Sequence, residues 1–284
     1  MWMLQVLLYG VLKGTREIVK KKSLDKSSVL EVLFFYTLFG FLMVCPDAGN
    51  AGGVSVGQMG WIALKSFVIF VAWMCSFKAI KKMPISLYGI LDLSRVLFAT
   101  LLATLVMHET LTGSQLVGLA LVCLGLLMLK GLPWKKKKAE EKESVKPLIV
   151  MLAFASCLLN AFSGLLDKIL MKELNGSQLQ FWYMLYLVLF YLVYIIISET
   201  KIRIGKSLKN YWIWILAILF VIADRALFLA NADPASKISV MTLIKQSGCL
   251  VTILGGKFVF HEKNIRYKLV CAAVIVTGIV IGVL

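Results

Sequence analysis

The sequence has little charge, little proline and almost no histidine. Only 16% of its 284 residues are charged, whereas 60% are hydrophobic and the mean hydropathy is +0.86. A soluble domain is nearer to a quarter charged, so this composition argues against a soluble globular protein, and the apolar content excludes a disordered chain. The net charge is nevertheless +16, because 31 Lys and Arg residues face 15 Asp and Glu residues. A very apolar but basic chain predicts a polytopic membrane protein.

The motifs of several other classes are also missing. The six cysteines lie in apolar runs without paired spacing, and only two histidines are present, so we predict neither disulfides nor a metal site. The chain contains no HExxH and no Asp-rich phosphate motif, so we expect no enzymatic activity and no cofactor. A nucleic-acid partner would require a soluble basic face, which this composition does not offer.

Ten apolar runs are long enough to be membrane-spanning helices, which need roughly 20 residues each. All five prolines fall at the ends of these runs, so none of the helices is predicted to be kinked by proline. The predicted spans are residues 2–21, 28–45, 57–77, 85–107, 113–132, 147–171, 178–198, 210–232, 236–260 and 267–284.

The connectors between the spans alternate in charge. Connectors 20–27, 78–82, 130–146, 199–209 and 261–268 carry 21 Lys and Arg residues, whereas the other four carry two at most. By the positive-inside rule the basic connectors are cytoplasmic, so both termini face outward across a plasma or bacterial inner membrane. The same five connectors hold a net charge of +15. The positive net charge of the protein therefore reflects its orientation in the membrane and is not evidence for a binding partner.

A weak internal repeat relates the two halves of the chain. Gly14 matches Gly164 at an offset of 150 residues, and His108-Glu109 matches His261-Glu262 at an offset of 153. The repeat pairs the first five spans with the last five, and because five is odd the second copy is inverted in the membrane. Inverted repeats are typical of secondary transporters with a site near the midplane.

We therefore predict an all-α polytopic membrane protein with ten transmembrane helices in two inverted five-helix repeats. The first repeat covers residues 1–132 and the second covers residues 147–284. A basic cytoplasmic linker, residues 133–146, joins them.

An acidic residue closes the fourth helix of each half, Glu109 and Glu262, and a helix with glycine and small residues follows each one. With the five-plus-five repeat, these features resemble the EamA-type ten-helix branch of the drug/metabolite transporter superfamily. The resemblance covers nearly the whole chain and implies a fold and a class rather than a substrate, since relatives carry amino acids, metabolites, drugs or sugar phosphates. It also implies a cavity lined by spans 1, 3, 4, 6, 8 and 9. Many relatives place their termini in the cytoplasm, the reverse of the orientation that the charges predict here.

Ionisable residues within the spans are the candidates for function, because charge inside a membrane is costly. Asp92 and Arg95 are three residues apart near the middle of the fourth span, so they share a helix face and can pair. Lys245 is the repeat equivalent of Asp92, so we expect these opposite charges to approach across the pseudo-twofold axis. The alternative role is a structural ion pair that locks the halves together.

The other candidates lie on four spans. Lys13, Arg16 and Glu17 form a polar stripe, unless the first helix ends early and leaves the stripe in the cytoplasm. In a doublet such as Asp224-Arg225, adjacent residues point about 100° apart, so one can face the cavity while the other pairs elsewhere. Lys65 is predicted to snorkel. The predicted binding residues are Asp92, Arg95, Lys245, Arg225, Asp224, Glu17, Arg16, Lys13, Asp167, Trp73, Tyr88 and Gln246.

Deep cations slightly outnumber deep acids, and Lys and Arg are the natural partners of carboxylate and phosphate. We therefore predict a secondary transporter of a small polar metabolite, anionic or zwitterionic, that works by alternating access with proton coupling or exchange. The alternatives are an exporter of cationic drugs or amines and a flippase of a lipid-linked phosphate. Two glycine pairs, Gly10/Gly14 and Gly278/Gly282, predict close helix packing, the first between the repeats and the second at the periphery or in a homodimer.

Overall fold

The computed structural model describes residues 2–107, 112–130, 145–232, 244–262 and 265–283, and these residues form helices without strands. Glu109 and nearly all of the predicted linker lie outside them. The α-helices are α1 (Trp2–Lys26), α2 (Val29–Val44), α3 (Val56–Lys82), α4 (Ile85–Asp92), α5 (Arg95–Met107), α6 (Gly113–Lys130), α7 (Pro147–Leu170), α8 (Gly176–Ile197), α9 (Ile204–Leu208), α10 (Tyr211–Ala232), α11 (Ser247–Phe260) and α12 (Ile265–Val283). A 3₁₀ helix, Cys45–Asn50, follows α2.

Six segments of the described chain are long and apolar enough to cross a membrane. They are Val29–Asn50, Val56–Lys82, Ile85–Leu102, Pro147–Asp167, Gly176–Ile197 and Ile265–Gly282. Two shorter apolar helices, Leu116–Met128 and Ser247–Phe260, accompany them. The predicted polytopic membrane fold is therefore confirmed. Residues 13–17 lie well inside α1, so the alternative in which the first helix ends before its polar stripe is wrong.

Helices in equivalent positions of the two halves pack in equivalent pairs. The first helix of each half packs on the third helix span of the other, as α1 on α10 and as α7 on α3. Likewise α1 packs on α11 and α7 packs on α5, while α6 packs on α12. The fourth spans meet each other where α4 contacts α11. This reciprocal packing is what two related five-helix repeats would produce.

Two spans that were expected to be continuous helices, 85–107 and 236–260, are interrupted near the middle. In the first, α4 ends at Asp92 and α5 begins at Arg95, and the Ser94 N–H donates to the Leu91 carbonyl three residues back at 3.0 Å. In the second, Gln246 forms a turn just before α11. Tightened turns with such three-residue hydrogen bonds interrupt helices without proline, which is why the sequence pattern missed them. Interrupted helices at corresponding positions of two repeats are typical of transporter binding sites.

The two glycine pairs both mediate close packing within this chain. A Cβ atom on Gly14 would lie 2.5 Å from the carbonyl oxygen of Gly248, so α1 and α11 touch backbone to backbone between the halves. A Cβ atom on Gly278 would lie 2.7 Å from the carbonyl oxygen of Gly118. The first glycine pair therefore joins the two halves of the chain, and the second joins α6 to α12.

Candidate functional site

Asp92 is the centre of a buried cluster of charges at the helix interruption. Its Oδ2 atom lies 2.7 Å from Lys13 Nζ of α1, and its Oδ1 atom lies 2.7 Å from Arg95 Nη2. We call Lys13, Asp92 and Arg95 the central charge cluster. The predicted pairing of Asp92 with Arg95 is confirmed, and Lys13 is a second partner that comes from 79 residues away.

Lys245 does not join the central charge cluster. Its Nζ atom lies 5.8 Å from the centre of the Tyr9 ring, and within the described part of the chain it has no ion pair. Lys245 forms no ion pair with Asp92, whose two carboxylate oxygens are paired with Lys13 and Arg95. Lys245 is consequently a cation without a counter-ion among the described residues.

Three aromatic rings contact one another beside Arg16 of α1. Tyr36, Trp73 and Phe220 have ring centres 5.3 to 5.7 Å apart, and we call them the aromatic cluster. The guanidinium of Arg16 lies 5.2 Å from the centre of the Phe220 ring, at cation–π distance. Arg16 is only 9% exposed, yet its Nε and Nη1 atoms have no hydrogen-bond partner. A buried charge without a partner is costly, so Arg16 is the first candidate to bind a ligand.

Asp224 and Asp167 lie on either side of Tyr183. The Tyr183 hydroxyl donates to Asp224 Oδ2 at 2.9 Å, and Lys65 Nζ lies 3.0 Å from Asp167 Oδ1 and 4.1 Å from the centre of the Tyr183 ring. Lys65 is 2% exposed, so the prediction that it snorkels is wrong. Within the described residues, Asp224 has no cation within ion-pair distance.

A small cavity lies between the halves where α1, α4 and α11 meet. Its volume of about 10 Å³ leaves room for roughly one water molecule, so the halves pack closely around it. Tyr88 is fixed here by a hydroxyl–hydroxyl hydrogen bond of 2.7 Å with Ser76. The lining residues are Lys13, Gly14, Glu17, Tyr88, Gly89, Asp92, Leu93, Gln246, Gly248, Cys249 and Thr252.

Glu262 closes the molecule on the side that carries the basic connectors, which we call the basic side. Its carboxylate accepts hydrogen bonds from the Ile85 and Ser86 backbone N–H groups and from the Ser86 hydroxyl, at the first turn of α4. Lys268 Nζ lies 3.2 Å from Oε2, and Lys21 Nζ lies 3.9 Å from Oε1. We call these five residues the basic-side closure. It joins α1 and α4 of the first half to the second half.

The basic-side closure also sets the acidity of Glu262. Burial alone would raise the pKa of this carboxyl, but the Ser86 hydrogen bond and the charges of Lys268 and Lys21 hold the pKa below its ordinary value. Farther into the membrane, Glu17 is already paired with Lys20 at 2.6 Å. Glu262 and Glu17 are therefore each held in an ion pair.

The predicted site residues thus fall into separate groups. Lys13, Asp92, Arg95, Tyr88, Gln246 and Glu17 line or adjoin the small cavity, whereas Arg16, Trp73, Asp224 and Asp167 lie around the aromatic cluster and Tyr183. Arg225 lies apart, because its Nη2 atom pairs with Asp47 at 2.7 Å. Sequence reasoning missed Tyr36, Phe220 and Tyr183, for which no pattern stood out. It also underrated Lys65, whose single charge within an apolar run was a usable signal.

The first half of the chain matches a known family of membrane proteins. Residues 1–130, a little less than half of the chain, match the model of the EamA-like transporter family, part of the drug/metabolite transporter superfamily, which confirms over these residues the resemblance found in the sequence. The chain is therefore a multi-pass membrane protein related to transporters of small molecules. No curated protein matches it. Among solved structures, the crystal structure of one protein is 14% identical, with a TM-score of 0.64 over 99% of this chain and 95% of that chain, a likeness of fold alone.

Proposed function

We propose that this protein is a secondary transporter that moves a small anionic or zwitterionic metabolite across the membrane by alternating access, with both termini on the outer side. The observation that carries the proposal is the buried Arg16 guanidinium, which lies against Phe220 of the other half and has two unpartnered nitrogens. A carboxylate or phosphate is the natural partner of such a group.

The charges around Arg16 support an anionic group on the substrate. The acids Asp92 and Asp167 are each already held by at least one cation, whereas Arg16 and Lys245 have no ion pair among the described residues. Two bases without an ion pair, set against Asp224 as one acid without an ion pair, favour a substrate that carries an anionic group. Burial of the site in apolar and aromatic side chains would strengthen the attraction, because the local dielectric constant is low.

Asp224 extends the proposal to zwitterions. It accepts a hydrogen bond from Tyr183 but has no cation within ion-pair distance in the described chain. A substrate whose carboxylate binds Arg16 could place an ammonium group near Asp224 and the aromatic cluster, where cation–π attraction adds to the charge. In a proton-coupled cycle the same carboxylate would take up the proton. Asp224 is also the feature that favours the alternative, a carrier of amines.

A thermal-shift screen of the purified protein tests the proposed substrate class. We expect succinate and alanine to raise the Tm and spermidine to leave it unchanged, because a ligand that binds only the folded state stabilises it by mass action. In the Asp224→Asn variant the effect of alanine is expected to fall while that of succinate remains. Stabilisation by spermidine alone would overturn the anionic assignment and support the amine carrier.

Alternating access requires the basic-side closure to open. Glu262 and Lys268 belong to the second half and both contact the start of α4 in the first half, so these contacts to α4 must break when the halves rock apart on the basic side. The contacts are hydrogen bonds to a charged group, which are each worth about 1.5–3 kcal/mol. The closure therefore supports a conformation that is shut toward the basic side.

The Glu262→Gln variant is expected to open the basic side more often. In a background in which Cys249 is the only cysteine, a membrane-impermeant maleimide added from the basic side should label this cavity-lining thiol about 10- to 100-fold faster. Because the folded pKa of Glu262 is lowered, its stabilising effect is full above the ordinary pKa and is lost only as the pH falls through the lowered value. Wild-type protection should thus be constant from pH 8 down to about pH 5.

Glu173→Gln provides the matched control for this experiment. Glu173 accepts a hydrogen bond from Gln58 in an exposed position away from the basic side. This variant should label Cys249 at the wild-type rate. Equal labelling rates in Glu262→Gln and the wild type would show that Glu262 does not hold the two halves together.

A further inference from the structure

A second pocket opens on the basic side, away from the candidate site. It has a volume of about 270 Å³ and lies between the end of α1, the end of α3 and the segment around α9. Its lining residues are Leu24, Asp25, Lys26, Ser27, Ser28, Lys81, Arg203 and Lys206. Four of these side chains are cations and one is an acid. We call this the basic pocket.

The walls of the basic pocket are held in place by contacts behind it. Glu31 Oε1 accepts hydrogen bonds from the Arg203 backbone N–H at 3.0 Å and from Arg203 Nε at 3.2 Å. Asn210 Nδ2 donates to the Ser27 hydroxyl at 3.0 Å. These contacts tie residues of the second half to the start of α2 in the first, so the pocket is preorganised and its two sides belong to different repeats.

The cations of the basic pocket are available to a ligand. Lys81 and Lys206 are exposed and have no ion pair in the described structure, and the contact of Arg203 with Glu31 engages its Nε atom rather than its two terminal nitrogens. Basic connectors alone explain an excess of positive charge on this side. They do not explain a concave, braced site with four cations around one opening.

We propose that the basic pocket binds a phosphate group. The planar guanidinium of Arg203 can bind a phosphate through its two terminal nitrogens, and the lysines attract the phosphate as point charges. The group can come from the headgroup of an anionic lipid in the adjoining leaflet, which basic pockets between membrane helices bind, or from a soluble phosphate compound. Binding would stabilise the packing of the two halves on the basic side.

Thermal unfolding of the full-length protein in detergent tests the basic pocket. The probes are phosphatidylglycerol, with phosphatidylcholine as the neutral lipid, and sodium phosphate, with sodium chloride at equal ionic strength. We expect phosphatidylglycerol or sodium phosphate to raise the Tm by about 3–6 °C at a concentration about ten times its Kd. The Lys81→Gln/Lys206→Gln variant should lose this increase, and it leaves the contact of Arg203 with Glu31 intact.

The matched control removes two charges from the same side outside the pocket. Lys82 and Lys201 are exposed and do not line the pocket, so Lys82→Gln/Lys201→Gln should keep the full increase in Tm. An increase with phosphatidylglycerol alone supports a headgroup site, and one with sodium phosphate alone supports a soluble phosphate compound. Equal losses in both variants, or no increase with either probe, would overturn the proposal.

Discussion

Replacement of Arg16 by glutamine is expected to abolish the increase in Tm with succinate while the ligand-free protein remains as stable as the wild type or becomes more stable. The guanidinium is buried with unpartnered nitrogens, so removing its charge relieves a desolvation cost rather than breaking a bond. A residue that reduces the stability of its own fold is expected where the fold serves binding. The measurement is thermal unfolding with and without succinate.

The Arg16→Gln variant is expected to bind succinate much more weakly than the wild type. Charge-assisted hydrogen bonds from two guanidinium nitrogens account for about 3 kcal/mol, so succinate should bind Arg16→Gln about 100-fold more weakly. Arg225→Gln is the matched substitution, because Arg225 is partly exposed and paired with Asp47. It should keep the response to succinate and lose at most about 1 kcal/mol of stability. If Arg225→Gln alone lost the increase in Tm with succinate, the anion would bind near Arg225 and not near Arg16.

The Asp92→Leu variant is expected to be much less stable than the wild type. It leaves Lys13 and Arg95 without their common partner, and breaking a buried ion pair in this way typically costs about 3–5 kcal/mol. For a chain of this size the Tm should fall by about 6–20 °C. Intrinsic tryptophan fluorescence of the purified protein would report the transition.

Replacement of all three residues of the central charge cluster distinguishes the cost of unpaired charge from the cost of altered packing. In the triple variant Lys13→Met/Asp92→Leu/Arg95→Met no uncompensated charge remains, so most of the lost stability should return. The interaction energy follows from comparison of the single and triple variants. If the triple variant is as unstable as Asp92→Leu, the cost arises from the shape of the interrupted helix and not from unpaired charge.

The sequence was sufficient for the fold class and for part of the site. Composition and the spacing of apolar runs predicted the membrane fold, because each span must bury its own backbone hydrogen bonds in a helix. The pairing of Asp92 with Arg95 was predictable because three residues along a helix bring two side chains to one face. These are local rules, and they depend only on near neighbours in the chain.

Contacts between segments that are distant in the chain could not be predicted from the sequence by these local rules. Lys13 reaches Asp92 and Lys65 reaches Asp167 only because α1 packs on α11 beside α4, and α3 packs on α7. The helix interruption at residues 93–94 also escaped the pattern, since neither Pro nor Gly marks it. The aromatic cluster likewise draws its rings from α2, α3 and α10, which no sequence spacing relates.

The ion pairs between distant helices also bear on how the chain enters the membrane during synthesis. Lys13 meets Asp92 only after three further helices have been made, and Lys65 must wait for Asp167 in the second half. Until then each nascent helix carries an uncompensated charge that opposes its transfer from the translocon into lipid. We therefore expect the early helices to remain beside the translocon until their partners emerge. Integration of the first half would then depend on completion of the second.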